Sequence, residues 1–130
     1  MDKAALVEEL IKDGEKLIKA LDEAVFEVTA GMWFYSSDID EWRLIIASPL
    51  VDKLGHKKAY NSIQKEMDKI PQPFRIELRN ISVVSHQDPL IKLMSLALST
   101  GPGIAGIRFT QNVINNVLIE DAYIYRNIKA

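Results

Sequence analysis

Two groups of side chains in this sequence are of types that could do chemistry. The first lies in Ser85-His86-Gln87-Asp88-Pro89. Imidazole titrates near neutral pH, so His86 could act as a general acid or base, with Asp88 two residues on as its candidate partner. Asp followed by Pro is also the ordinary start of a helix, Asp at the N-cap and Pro in the first turn, and no nucleophile stands at a diagnostic spacing. The second group is Arg108, Asp121, Tyr123 and Tyr125. Functionally, Arg108 could offer its guanidinium fork to a small anionic or aromatic ligand. Structurally, the same residues make a cross-strand ion pair, or a subunit contact rich in Tyr and Arg. Ligand site and interface both stay open.

The second group comes together only if the closing stretch, Ile104 to Asn127, folds as a hairpin. Asn115-Asn116 supplies the turn, because a two-residue type I′ turn needs positive φ at both positions and Asn tolerates it. Ile114 then faces Val117, Phe109 faces Ala122, Arg108 faces Tyr123 and Ile107 faces Ile124. Alternation assigns Ile107, Phe109, Gln111, Val113, Leu118, Glu120, Ala122 and Ile124 to a core face. The other face takes Arg108, Thr110, Asn112, Asp121, Tyr123 and Tyr125, with Ile114, Val117 and Ile119 nearer the turn. Asp121 sits diagonal to Arg108, within reach of an ion pair.

The elements that must position these groups follow from periodicity. Asp2 caps a helix running to about Ala24, with Val7, Leu10, Ile11, Leu17, Ile18 and Leu21 as its apolar stripe. Gly14 falls on that stripe, which points to a close neighbour. VTAGMWFYSS and WRLIIAS read as strands, with Trp33 and Tyr35 on one face and Met32 and Phe34 on the other. PLVDKLG reads as an exposed connector, and a helix from about His56 to Ile70 is stopped by Pro71 and Pro73. In FRIELRNISVVS the alternation slips, so either a bulge sits near Asn80 or only NISVVS is a strand. The apolar PLIKLMSLALS makes a third, mostly buried helix, ended by Gly101-Pro102-Gly103.

The order α-β-β-α-β-α-β-β predicts a single α+β domain over residues 1–130, a mixed five-stranded sheet packed with helices. Right-handed crossovers would make the second, third and fourth strands parallel. Ligands tend to bind beyond the carboxyl ends of parallel strands, which here would gather Ser48, Ser85, His86, Asp88, and Gln111 or Asn112.

Composition narrows the function classes. Hydrophobic residues at 48%, charged residues at 26% and a net charge of -2 describe a globular domain rather than a disordered one. The absence of cysteine removes disulfides, thiolate nucleophiles and thiolate metal sites. His56 and His86 offer no metal spacing, and Asp38, Asp40 and Glu41 lack the oxygens and glycine of a calcium loop; no metal or cofactor is expected. Residues 1–48 carry 5 basic against 11 acidic groups, whereas 49–79 carry 7 against 4, an asymmetry that suits an oriented contact but is also common in amphipathic helices. The basic stretch Lys53, His56, Lys57, Lys58, Lys65 is the sole nucleic-acid footprint, and a net-acidic chain weighs against that partner. GPGIAG lacks the Lys-Ser/Thr of a phosphate loop and leads into a strand. No apolar run approaches the roughly 20 residues that span a bilayer, and MDKAALVEEL is unlike a signal peptide; no membrane contact and a cytoplasmic location are expected.

DEWRLIIASPLVD, ISVVS-x-x-DPL, GPGIAGIRF and IEDAYIYR together resemble a group of short, uncharacterised bacterial proteins across nearly the whole chain. The resemblance implies a small stand-alone bacterial protein and brings no catalytic residues with it. The sequence therefore leans away from an enzyme, towards a protein-binding or self-associating module, such as a homodimer. The alternatives are a small hydrolase or nuclease acting near His86 and Asp88 or near Arg108 and Asp121, and a nucleic-acid accessory protein using the Lys57 region.

Overall fold

The computed structural model describes residues 5–128. Helix α1 spans Glu8–Glu23, followed by strands β1 (Ala30–Ser36) and β2 (Glu41–Ala47), a short helix α2 (Leu50–Leu54) and helix α3 (His56–Met67). A 3-10 turn at Leu78–Asn80 leads into β3 (Ile81–Val84), then α4 (Pro89–Ser95), β4 (Ile107–Ile114) and β5 (Val117–Asn127). The expected cap at Asp2 lies outside the described residues; α1 starts at Glu8 with Val7 in the N-cap position and no side-chain cap bond. PLVDKLG is not merely a connector: it holds α2, whose Val51 is buried. FRIEL forms no strand, and the reciprocal bonds between Glu77 and Asn80 that close the 3-10 turn explain the slip in alternation. No helix among the described residues is long and apolar enough to cross a membrane.

The sheet runs β3-β2-β1-β5-β4, an α+β arrangement with one parallel pair, β2 and β3. The expectation that β4 also runs parallel to them is wrong. Beside β2 the place is taken by β1, and along β3 the outer edge is taken by Tyr60, so the chain leaving α4 crosses to the far edge. There β4 pairs antiparallel with β5, which is antiparallel to β1.

Helices cover both faces. On one, Leu17, Ile18 and Leu21 of α1 and Ala59, Ile63 and Met67 of α3 bury against Trp33, Leu44, Ile46, Ile81, Val83 and Tyr125. Full burial of each such aliphatic side chain contributes about 2 kcal/mol. Gly14 explains itself here: α1 crosses so close to the sheet that a Cβ would stand 2.8 Å from Cζ of Tyr125. On the other face, Ile91 and Met94 of α4 pack on Met32, Ile45, Ala122 and Ile124. The third helix is shorter and less buried than its apolar sequence suggests; it ends at Ser95, and Leu96 is left 69% exposed.

The hairpin register is as expected, from Ile107↔Ile124 to Ile114↔Val117, with Asn115 at φ 49 and Asn116 at φ 66 in the turn. The faces near the turn are not. Ile114 and Ile119 are buried with Ile91 and Met94, whereas Val113 is 66% and Leu118 56% exposed. The cause is Gln111, at φ 51, where the pair with Glu120 drops out of the ladder. This irregularity switches the side-chain phase, and the distal arm joins the α4 core with the opposite set of residues.

Candidate functional site

Arg108 and Asp121 meet as the register requires. Nε and Nη2 of Arg108 donate to the two carboxylate oxygens of Asp121, each at 2.7 Å, and the Thr110 hydroxyl donates to Oδ1 at 3.2 Å. Asp121 is buried, and its bonds to Arg108 raise the Arg108 pKa. The guanidinium lies 5.5 Å over the Trp42 ring, and Trp42 packs against Tyr35 with ring centroids 5.5 Å apart. Tyr35 donates its hydroxyl to Oδ1 of Asp40 at 2.5 Å; that bond, together with burial, pushes its phenol up to about 12.

Tyr123 and Tyr125 pack edge-on, with centroids 5.2 Å apart. Tyr125 is not on an exposed face as expected, because α1 covers that part of the sheet and leaves it fully buried. Its hydroxyl donates to the Ile11 carbonyl and accepts from the Trp33 indole at 3.0 Å. Burial raises its pKa, against the opposing effect of the Trp33 N–H. The cluster thus locks the hairpin to β1, β2 and α1: its polar groups bond one another, with Arg108, Thr110 and Asp40 at its exposed rim.

At the carboxyl ends of β2 and β3 the structure assembles a different partner for His86 from the expected one. Asp88 accepts the Leu90 N–H at 2.9 Å and caps α4, so it faces the helix. Ser48 is buried and accepts the Leu50 N–H at the start of α2. The carboxylate beside His86 belongs to Asp52: Oδ2 lies 3.2 Å from Nδ1, a close approach off the hydrogen-bond axis, and accepts the Ser85 hydroxyl at 2.9 Å. Gln111 and Asn112 lie at the opposite end of the sheet, because β4 runs against β2. Beside His86, a cavity of about 420 Å³ opens between α4 and the segment preceding β1.

The sheet edges differ in kind. On β3 the Tyr60 hydroxyl bonds two of the outward groups: Val83 N–H donates to Tyr60 at 3.0 Å, and Tyr60 donates to the Ile81 carbonyl at 3.3 Å, which also accepts from Arg43 Nη2 at 3.0 Å. Among the described residues no strand pairs with the outer side of β4. The two-residue turn makes Ile114 and Val117 a hydrogen-bonded pair, so alternation turns the N–H groups of Val113 and Phe109 outward. Neither Lys nor Pro occurs in β4, the residues that usually protect such an edge, although the irregularity at Gln111 interrupts it. Lys53, Lys57, Lys58 and Lys65 are exposed on α2 and α3, Lys53 directly after Asp52.

No protein-family model, curated protein or solved structure matches the chain.

Proposed function

We propose that the protein is a self-associating, protein-binding module whose contact surface is the outer edge of β4 and the tip of the closing hairpin. A second copy is its first partner. One observation carries the reading: of two edges of the same sheet, β3 is partly capped by a built-in hydroxyl, whereas β4 has no strand beside it among the described residues. The open edge ends in exposed apolar side chains, Val113, Val117 and Leu118. Unpaired strand edges add strands from other chains, and the main-chain bonds supply affinity while flanking side chains supply register. In an antiparallel β4–β4 contact centred on Thr110, Arg108 of one copy would lie opposite Asn112 of the other, so no like charges oppose. A stable contact needs about 800 Å² from each partner, roughly a tenth of this molecule's 7291 Å².

The test is sedimentation over a range of concentrations, for the native chain and for Val113→Lys/Leu118→Lys. These two side chains are exposed, so the variant retains the fold. The native protein is expected to show a concentration-dependent dimer and the variant a monomer; a native protein monomeric throughout, or a variant that dimerises equally well, refutes the reading.

A further inference from the structure

The cavity beside His86 has walls of opposite charge that are not used elsewhere in the fold. Its lining includes Glu27 from the segment before β1 and Lys92 from α4. Neither forms an ion pair with another described residue, whereas nearby Asp52 approaches His86 and Asp22 pairs with Arg126. Pro49, Ile91 and Ile128 add apolar lining.

The polar groups around the cavity are biased towards accepting hydrogen bonds. Thr29 donates its hydroxyl proton to the Ala47 carbonyl, which leaves its oxygen to accept; Ser95 donates to the Ile91 carbonyl and already accepts the Asn127 amide at 3.2 Å. His86 is turned with Nδ1 towards Asp52, and Nε2 takes the Gln87 amide at 3.1 Å. Nε2, on the side of the ring away from Asp52, can accept from the Gln87 amide. The Gln87 amide, on an exposed side chain, stands where a ligand's donor group would replace it.

We infer that this cavity binds a small zwitterion with a short branched apolar body, of the free amino acid type. Its ammonium group faces Glu27 and the Thr29 hydroxyl oxygen, its carboxylate faces Lys92, and its side chain rests on Ile91 and Ile128. The volume lies within the range of small-molecule sites, about 300–1,000 Å³, and the position beyond the carboxyl ends of β2 and β3 is where open sheets hold ligands. No chemical step is part of this assignment, because no nucleophile stands free beside His86: Ser85 bonds Asp52, and Thr29 and Ser95 bond backbone.

Three probes with the same branched apolar body separate the charges: leucine, 4-methylpentanoate without the ammonium, and 3-methylbutylamine without the carboxylate. Each is titrated by calorimetry and by NMR of the isoleucine methyls and the His86 ring. Leucine is expected to bind with saturable shifts at Ile91, Ile128 and His86, and each single-charge probe at least about tenfold more weakly, equivalent to about 1.4 kcal/mol. Glu27→Gln should reduce leucine to the affinity of 4-methylpentanoate, and Lys92→Gln to that of 3-methylbutylamine; both positions are exposed, so folding is retained. Equal binding of all three probes, leucine binding unaffected by either substitution, or no shift at on the order of 10 mM leucine overturns the assignment. Dimerisation is read separately, so either proposal can fail alone.

Discussion

Replacing Gly14 by Ala tests how α1 is seated, and helix propensity alone predicts the wrong sign. In an exposed helix interior this change gains about 1 kcal/mol. Here the added methyl would stand 2.8 Å from Cζ of Tyr125 and 3.0 Å from Nε1 of Trp33, with the Tyr125 hydroxyl closer still. Both rings are buried, so one of them must shift. Moving Tyr125 weakens two bonds, to the Ile11 carbonyl and from the Trp33 indole, each of net value about 1 kcal/mol. Overpacking a close-fitted core adds about 1–3 kcal/mol. After subtracting the helix gain, Gly14→Ala should destabilise by about 3 kcal/mol, a large part of a typical domain's 5–15 kcal/mol. Urea unfolding followed by tryptophan fluorescence measures it. In a Tyr125→Phe background the cost should fall by about 2 kcal/mol, because both bonds and the atom nearest the added methyl are already gone. A stabilised Gly14→Ala variant would refute this account of the helix–sheet contact.

Two further outcomes are expected. Tyr60→Phe leaves the Val83 N–H without its partner and should cost about 1–2 kcal/mol in urea unfolding; it should also increase association by exposing a second edge, and a change below about 0.3 kcal/mol would mean the edge is satisfied otherwise. For Tyr35 the fold favours the neutral phenol, so its stabilisation is complete below the ordinary value of 10.0 and is lost as pH rises through about 12; the phenolate absorbance of Tyr35→Phe should lack a step near pH 12, and loss of a step near 10 instead would contradict the role of Asp40.

Much of the fold was legible because its signals are local. Asn115-Asn116 specified a turn, the turn specified the register, and the register brought Arg108 to Asp121. The faces of the distal hairpin were not legible, since nothing in Gln111 marks a left-handed backbone, and one such residue exchanges buried Val113 and Leu118 for Ile114 and Ile119. Tyr125 alternates like an exposed residue, and only the path of α1 over the sheet buries it. Asp52 could not be matched to His86 from spacing, because the two are joined only by the parallel pairing of β2 with β3. Asp88, the nearer carboxylate, gave the stronger local signal, and that signal was for a helix cap. The open edge of β4 depends on strand order, which alternation does not encode.

Amide hydrogen exchange resolved along β4, measured at rising protein concentration, tests self-association most directly. The outward N–H groups of Phe109 and Val113 should exchange quickly in dilute solution and become protected as concentration rises, while Val83, already bonded to Tyr60, stays unchanged. Exchange at Phe109 and Val113 that is independent of concentration would contradict the proposed contact.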